Sequence, residues 1–414
     1  MQFHKTFTIR FSYKCNQIKH ILLFTFVNFS LFTFVNMKNN LSDTQFNQFR
    51  ETKLSGRYIT LNCIEPIIKK LDSEFKIEIE GNSEEQRPLY SITIGSGKFK
   101  VLMWSQMHGN ESTTTKAIFD FLNYLQADGK NQTLLKQNFT FKILPLLNPD
   151  GALRYTRENA NGVDLNRDAQ DKSQIEIQVL FDVFESFKPD LCLNMHDQRT
   201  IFSAGNTSKS AVISFLAPSA DSSKTISETR AYAMQLIASM NNHLQMYIPG
   251  NVGRYSDEFN PNCLGDTFQS LNVPTILFEA GHCDDYRRED TRKYVFMALL
   301  SLFETISENK DNLPAVAEYF KIPENEKLFF DIIIRNAKFS NQITDVAIQF
   351  EERLIENSIN FNPKVSKSGN LNIFYGHNEV DAGEKELIIK DNKSFLLDNE
   401  IIKLTLNGIN NLMI

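Results

Sequence analysis

His108 and Glu111 stand three apart in the stretch Gln106-Met107-His108-Gly109-Asn110-Glu111. An imidazole nitrogen and a carboxylate oxygen both suit zinc, and a tight loop brings residues at this spacing to one ion. By itself an H-x-x-E pair fits an ordinary surface loop equally well. His196 and Glu279 shift the balance. His196 follows the apolar run Asp190–Met195, Glu279 follows Val273–Phe278, and His108 comes just after Phe99–Ser105. If these runs are strands of an open α/β sheet, all four residues lie at strand carboxyl ends, where the sites of such sheets collect. A catalytic zinc takes three protein ligands and keeps one position for water. His108, Glu111 and His196 supply three, and Glu279 is then the base for that water and the acid for a leaving amine.

A second concentration of chemistry lies in Asn148–Arg167, which reads NPDGALRYTRENANGVDLNR. Arg157 is placed to polarise a scissile carbonyl and stabilise its oxyanion. Asn166 and Arg167 are placed to hold a substrate carboxylate by charge-assisted hydrogen bonds. Isolated arginines in a loop are usually solvated charges, so these roles depend on the neighbouring histidines and glutamates.

The positioning elements follow from periodicity. Phe75–Glu80, Leu89–Ile94, Phe99–Ser105, Phe139–Leu147, Asp190–Met195, Val212–Ala217 and Val273–Phe278 read as strands, with a turn at Gly95-Ser96-Gly97. Thr113–Leu125, Ile175–Phe187, Lys224–Met246 and Asp290–Glu308 read as helices, Ser42–Asp72 as a polar helical lead-in, and Asn148-Pro149-Asp150-Gly151 as a loop. This alternation predicts an α/β sheet with helices on both faces. After about residue 312 the texture becomes short strands: Leu328–Ile334, Leu371–Tyr375, Glu386–Ile389 and Ile401–Leu406, with turns at Ser368-Gly369 and Asn407-Gly408. The expected domains are a lead-in over 37–84, a catalytic domain over 85–312 and a small mainly β appendage over 313–414. The appendage is open to reading as a docking module or as a structural cap.

The chain of 414 residues carries a formal net charge of -6 with pI ≈ 5.8, so nothing global attracts it to nucleic acid or to an anionic membrane. Its five cysteines are scattered without a C-x-x-C pair, which argues for a reducing, cytoplasmic setting and against a zinc ribbon or disulfide framework. Cys192 lies in an apolar run and reads as a core residue. Residues 1–36 place a basic segment before the apolar run Ile21–Val35, like a secretion signal or anchor. That run includes Asn28 and Ser30, is shorter than the ~20 residues that span a bilayer, and carries LFTFVN twice. Met37 is therefore the expected start; if residues 1–36 are genuine, the protein is secreted or anchored.

Taken in order, H-x-x-E, NPDG, an arginine before NANGVDLNR, a strand ending in histidine and a strand ending in glutamate resemble the zinc carboxypeptidases similar to carboxypeptidase A. The resemblance covers about residues 85–305. It implies a mixed, largely parallel eight-stranded sheet flanked by helices, and one zinc on His108, Glu111 and His196. It also implies an oxyanion role for Arg157, carboxylate binding by Asn166 and Arg167, and Glu279 as base. Asp164 of V-D-L-N-R would orient a zinc-bound histidine. The family often lays a mobile tyrosine over the substrate; Tyr255 is the nearby candidate, although GRYSDEFNPNCLGDTFQS does not match the usual motif.

The expected activity is removal of a C-terminal amino acid from a peptide with a free carboxylate. A zinc amidohydrolase of N-acyl amino acids, similar to aspartoacylase and succinylglutamate desuccinylase, shares an H-G-N-E-type loop and is the alternative. A non-catalytic peptide-binding relative is the third reading, against which the intact His108, Glu111, His196, Arg157 and Glu279 count. Side-chain preference lies in the irregular region around 200–272, where Arg199, Asp257 and Asp266 could each bias the charge.

Overall fold

A computed structural model describes residues 43–308, 312–390, 394–397 and 400–401, the last two as backbone. The segment 1–36 and most of the expected strand Ile401–Leu406, with the turn after it, lie outside the described residues.

Four parallel strands, Phe139–Leu144, Phe99–Ser105, Leu191–Asp197 and Thr275–Ala280, form the centre of an eight-stranded mixed sheet. Pro88–Gly95 and Lys76–Asn82 extend it antiparallel on one side; Ile213–Leu216 and Val252–Arg254 complete the other. The central strands are near-continuous apolar runs because both faces are covered. Along Phe99–Ser105, Val101 and Met103 enter one core with the helices Thr113–Gln126, Glu228–Leu244 and Glu289–Glu308. Leu102 and Trp104 enter the opposite core with Ile175–Phe187 and Leu264–Ser270. The period of two in the strand thus feeds two helical layers.

The expected strands and long helices are present with small boundary shifts, and the differences have local causes. Ser42–Asp72 is two short helices, Asp43–Phe49 and Leu61–Ile68, separated by an irregular stretch. Lys130–Asn138 is an additional helix, masked in the sequence by its polarity. NPDG is not a loop but opens the helix Pro149–Arg154: Asn148 caps it by accepting from Gly151 N at 2.8 Å, and proline suits the first turn. His196 and Glu279 lie within their strands rather than beyond them, since pairing continues to Asp197 and Ala280.

Beyond residue 312 the chain forms a second sheet in the order Ser358–Gly369, Gln342–Ile355, Phe329–Phe339, Tyr375–Asp381. The hairpin Gln342–Ile355 with Ser358–Gly369 was not expected: its ladder is long, but its charged run Glu351-Glu352-Arg353 gives no apolar alternation. Leu371–Tyr375 is a turn, and the strand begins at Tyr375. This sheet docks through buried polar groups. Asp331 accepts from Tyr286 Oη at 2.8 Å and Phe350 N at 2.6 Å, and His377 Nε2 donates to the Thr200 carbonyl at 2.7 Å. The His377 ring lies 4.3 Å from that of His282 and stacks on Phe329. Cys63, Cys192, Cys263 and Cys283 are free thiols. No helix among the described residues is long and apolar enough to cross a membrane.

The histidine pair is expected to make docking sensitive to acid. Burial, with Arg288 adding repulsion, lowers His377 to about 4, and burial with His377 and Arg288 holds His282 well below the ordinary range. The unfolded chain binds the proton first, so the contribution of neutral His377 is complete above pH ~6.5 and is lost as pH falls towards 4. Asp331, raised to about 6 by burial, works in the opposite direction, so the effect is isolated by comparing variants. The stability advantage of wild type over His377→Gln, from urea unfolding at several pH values, is expected to shrink by on the order of 3 kcal/mol between pH 7 and 4. A pH-independent difference would show that His377 is not buried as a neutral group.

Candidate metal centre

The loop bearing His108 is held from two sides. Asn148 N donates to the Gln106 carbonyl at 3.1 Å, and Asn148 Nδ2 donates to the Met107 carbonyl at 3.0 Å. Gly109 passes so close to the next loop that a Cβ there would lie 2.0 Å from the backbone carbon of Gly151, so no larger residue fits. The NPDG motif therefore anchors the loop that carries His108.

His108, Glu111 and His196 converge, with one ligand atom from each lying within 4.8 Å of the others. His108 Nδ1 is 2.8 Å from Glu111 Oε1, His196 Nδ1 is 2.8 Å from Glu111 Oε2, and the two Nδ1 atoms are 3.2 Å apart. All three side chains are buried. His108 Nε2 also meets Asp164 Oδ1 at 2.9 Å. Carboxylates thus face both nitrogens of one imidazole, whereas a neutral ring carries a single proton. A cation at Nδ1 resolves this: the proton stays on Nε2 towards Asp164, and Nδ1 presents its lone pair. Two imidazoles and one carboxylate make the donor set of a catalytic zinc site, and Asp164 stands where an orienting carboxylate would. The group fits a metal ion.

Asp164 also receives Arg157 Nε at 3.0 Å, while Arg157 Nη1 reaches Glu111 Oε1 at 3.1 Å. Burial would raise Asp164, but His108, Arg157 and Arg167 outweigh it and hold it below the ordinary range. Burial likewise opposes ionisation of Glu111, and His108 and His196 overcome it.

These residues open onto a cavity of about 610 Å³, also lined by Asn166, Arg167, Tyr255, Asp266 and Glu279. Glu279 stands in register beside His196 on the adjacent strand. Burial, then the carboxylates of Glu111 and Asp197, push it well above the usual range against the pull of Arg157 and Arg288. Asn166 Oδ1 accepts from Leu264 N at 3.2 Å, and exposed Arg167 reaches Cys263 Sγ at 3.1 Å. Tyr255 packs on Phe202 and lines the same cavity. Burial raises Asp266 to about 7. Asp257 lies apart from the cavity lining, paired with Arg230 at 2.6 Å.

Sequence reasoning missed Asp197. Its backbone N–H donates to Glu111 Oε2 at 3.2 Å, and its carboxylate accepts from Thr113 N at 3.0 Å and Thr113 Oγ1 at 2.6 Å. It joins the His196 strand to the first turn of the helix after the His108 loop. The signal was only an acid following a candidate ligand, with its partner 84 residues away.

Residues 68–253 match the family model described as zinc carboxypeptidase, a span that includes His108, Glu111, Arg157, Asn166, Arg167 and His196 and ends before Tyr255 and Glu279. Over 82 residues the chain is 33% identical to cytosolic carboxypeptidase 2 of Xenopus tropicalis, covering 19% of this chain and 8% of that protein. Over 110 residues it is 29% identical to carboxypeptidase 2 of Trichophyton rubrum, covering 27% and 20%. The matches thus span about a fifth or less of these relatives' length. Carboxypeptidase A from Helicoverpa armigera superposes over 60% of this chain and 73% of its own, with a TM-score of 0.48 and 16% identity.

Proposed function

We propose that this chain, whose residues 68–253 match the zinc carboxypeptidase family model, is a zinc-dependent metallocarboxypeptidase that hydrolyses the C-terminal peptide bond of a peptide. The observation that carries this reading is the convergence of His108, Glu111 and His196 at a cavity that also holds Glu279 and Arg157. In this reading His108 Nδ1, Glu111 and His196 Nδ1 hold one zinc ion. Zinc supplies Lewis acidity, lowering the pKa of water and polarising a carbonyl. Glu279 takes the proton of the attacking water and delivers it to the departing amine. Arg157, held at Nε by Asp164, brings a fixed positive charge to the carbonyl oxygen as it becomes an oxyanion. Asn166 and Arg167 hold the terminal carboxylate. Tyr255, in the lining of the same cavity, covers the substrate.

The test is zinc content by elemental analysis, paired with amino-acid release from blocked dipeptides and from N-acyl amino acids. About one zinc per chain and chelator-sensitive release from the dipeptides is the expected result. Release from N-acyl amino acids alone would replace the peptidase reading with the deacylase. Zinc without any release would favour the peptide-binding relative.

A further inference from the structure

A second cavity, of about 340 Å³, shares Glu111, Arg157, Asp197, Gln198 and Arg199 with the first. Gln349, Phe350 and Glu352, from the strand Gln342–Ile355 of the C-terminal sheet, line only the second, whereas Asn166 and Arg167 line only the first. A peptide with its terminal carboxylate at Asn166 and Arg167 and its scissile carbonyl at Arg157 therefore runs its preceding residue into the second cavity.

The carboxylates of this cavity are already engaged. Glu352 accepts from Arg57 Nη1 at 3.2 Å and from the Tyr155 hydroxyl. Asp197 is engaged by Thr113, and Glu111 belongs to the metal group. Four guanidiniums line this cavity, those of Arg57, Arg157, Arg199 and Arg288, against three carboxylates, those of Glu111, Asp197 and Glu352. Among its buried atoms the balance is even: Arg57 Nε and Arg288 Nε lack a partner, and so do Asn110 Oδ1 and Gln349 Oε1. Arg199 is exposed at the junction of the two cavities and has no hydrogen bond or ion pair among the described residues. A site with committed acids and a free guanidinium favours an anion, and a carboxylate matches the guanidinium fork.

We infer that the second cavity is a subsite for an acidic side chain on the residue preceding the scissile bond, selected by Arg199 and walled by the C-terminal sheet. The inference rests on the carboxypeptidase reading. It gives the appendage a part in substrate recognition.

The experiment uses the full zinc-loaded chain and two blocked dipeptides that share a C-terminal residue and carry Glu or Gln before it. These side chains are nearly isosteric, so their ratio of kcat/KM reports charge. Wild type is expected to favour Glu by roughly 10- to 100-fold, the range of a hydrogen bond to a charged group. Arg199→Ala should bring the ratio near one, Arg199→Lys should keep part of it, and Arg199→Glu should invert it. A merely structural role for Arg199 would move both substrates together and leave the ratio unchanged, which would overturn the subsite. Equal wild-type rates on both peptides would overturn it too, while leaving the peptidase reading intact. Release from neither would overturn both.

Discussion

Glu279→Gln is expected to keep about one zinc per chain and to lose hydrolysis by ~10²- to 10⁴-fold, the contribution of a positioned general base. Glu279 is not among the three residues whose ligand atoms converge, so the amide leaves them in place. It pairs in register with His196 through the backbone, and that ladder does not depend on the side chain. Glutamine matches glutamate in shape but cannot take a proton from water or return it to the amine. The loss should therefore fall on kcat, with little change in KM, because in the proposed reading Asn166 and Arg167 hold the substrate carboxylate. Steady-state kinetics and elemental analysis of one preparation test this together. Near-normal turnover with zinc present would remove Glu279 from the mechanism.

His196→Ala should lose the metal itself. Of the three converging groups it supplies one imidazole, and two ligands do not complete a zinc site. The change also leaves Glu111 Oε2 with only the Asp197 N–H as a close partner. Zinc content after dialysis against a competing chelator is expected to fall from about one per chain to a small fraction, and peptide hydrolysis to vanish with it. The fold should persist, because Leu191–Asp197 is paired on both sides by Phe99–Ser105 and Thr275–Ala280. Far-UV circular dichroism separates loss of metal from loss of structure. Full zinc occupancy in a folded variant would exclude His196 from the ligand set.

The sequence by itself determined the sheet-and-helix alternation and the identity of the central group. Strands buried on both faces must be apolar throughout, so Phe99–Ser105 and the run before His196 stand out without a partner in view. Amphipathic helices such as Ile175–Phe187 declare themselves by period. His108, His196 and Glu279 were legible because each stands at or just past the end of such a run, Glu111 because it follows His108 by three, and a parallel sheet brings those ends to one edge. Tertiary structure alone decided what is specified by contact at long sequence separation. Polar Lys130–Asn138 and the charge-rich hairpin from Gln342 have no periodic apolar stripe; neighbours and backbone pairing hold them. Asp164 was expected beside a ligand histidine, but its second bond, to Arg157, and the bracing of Glu111 by Asp197 depend on side chains meeting across loops. So does the approach of Gln349 and Glu352 to the cavity they share with Arg199. Local periodicity reports which face of an element is buried, but only the folded chain sets which polar groups on distant elements are left to satisfy one another, and at this centre those groups are the candidate metal ligands and their partners.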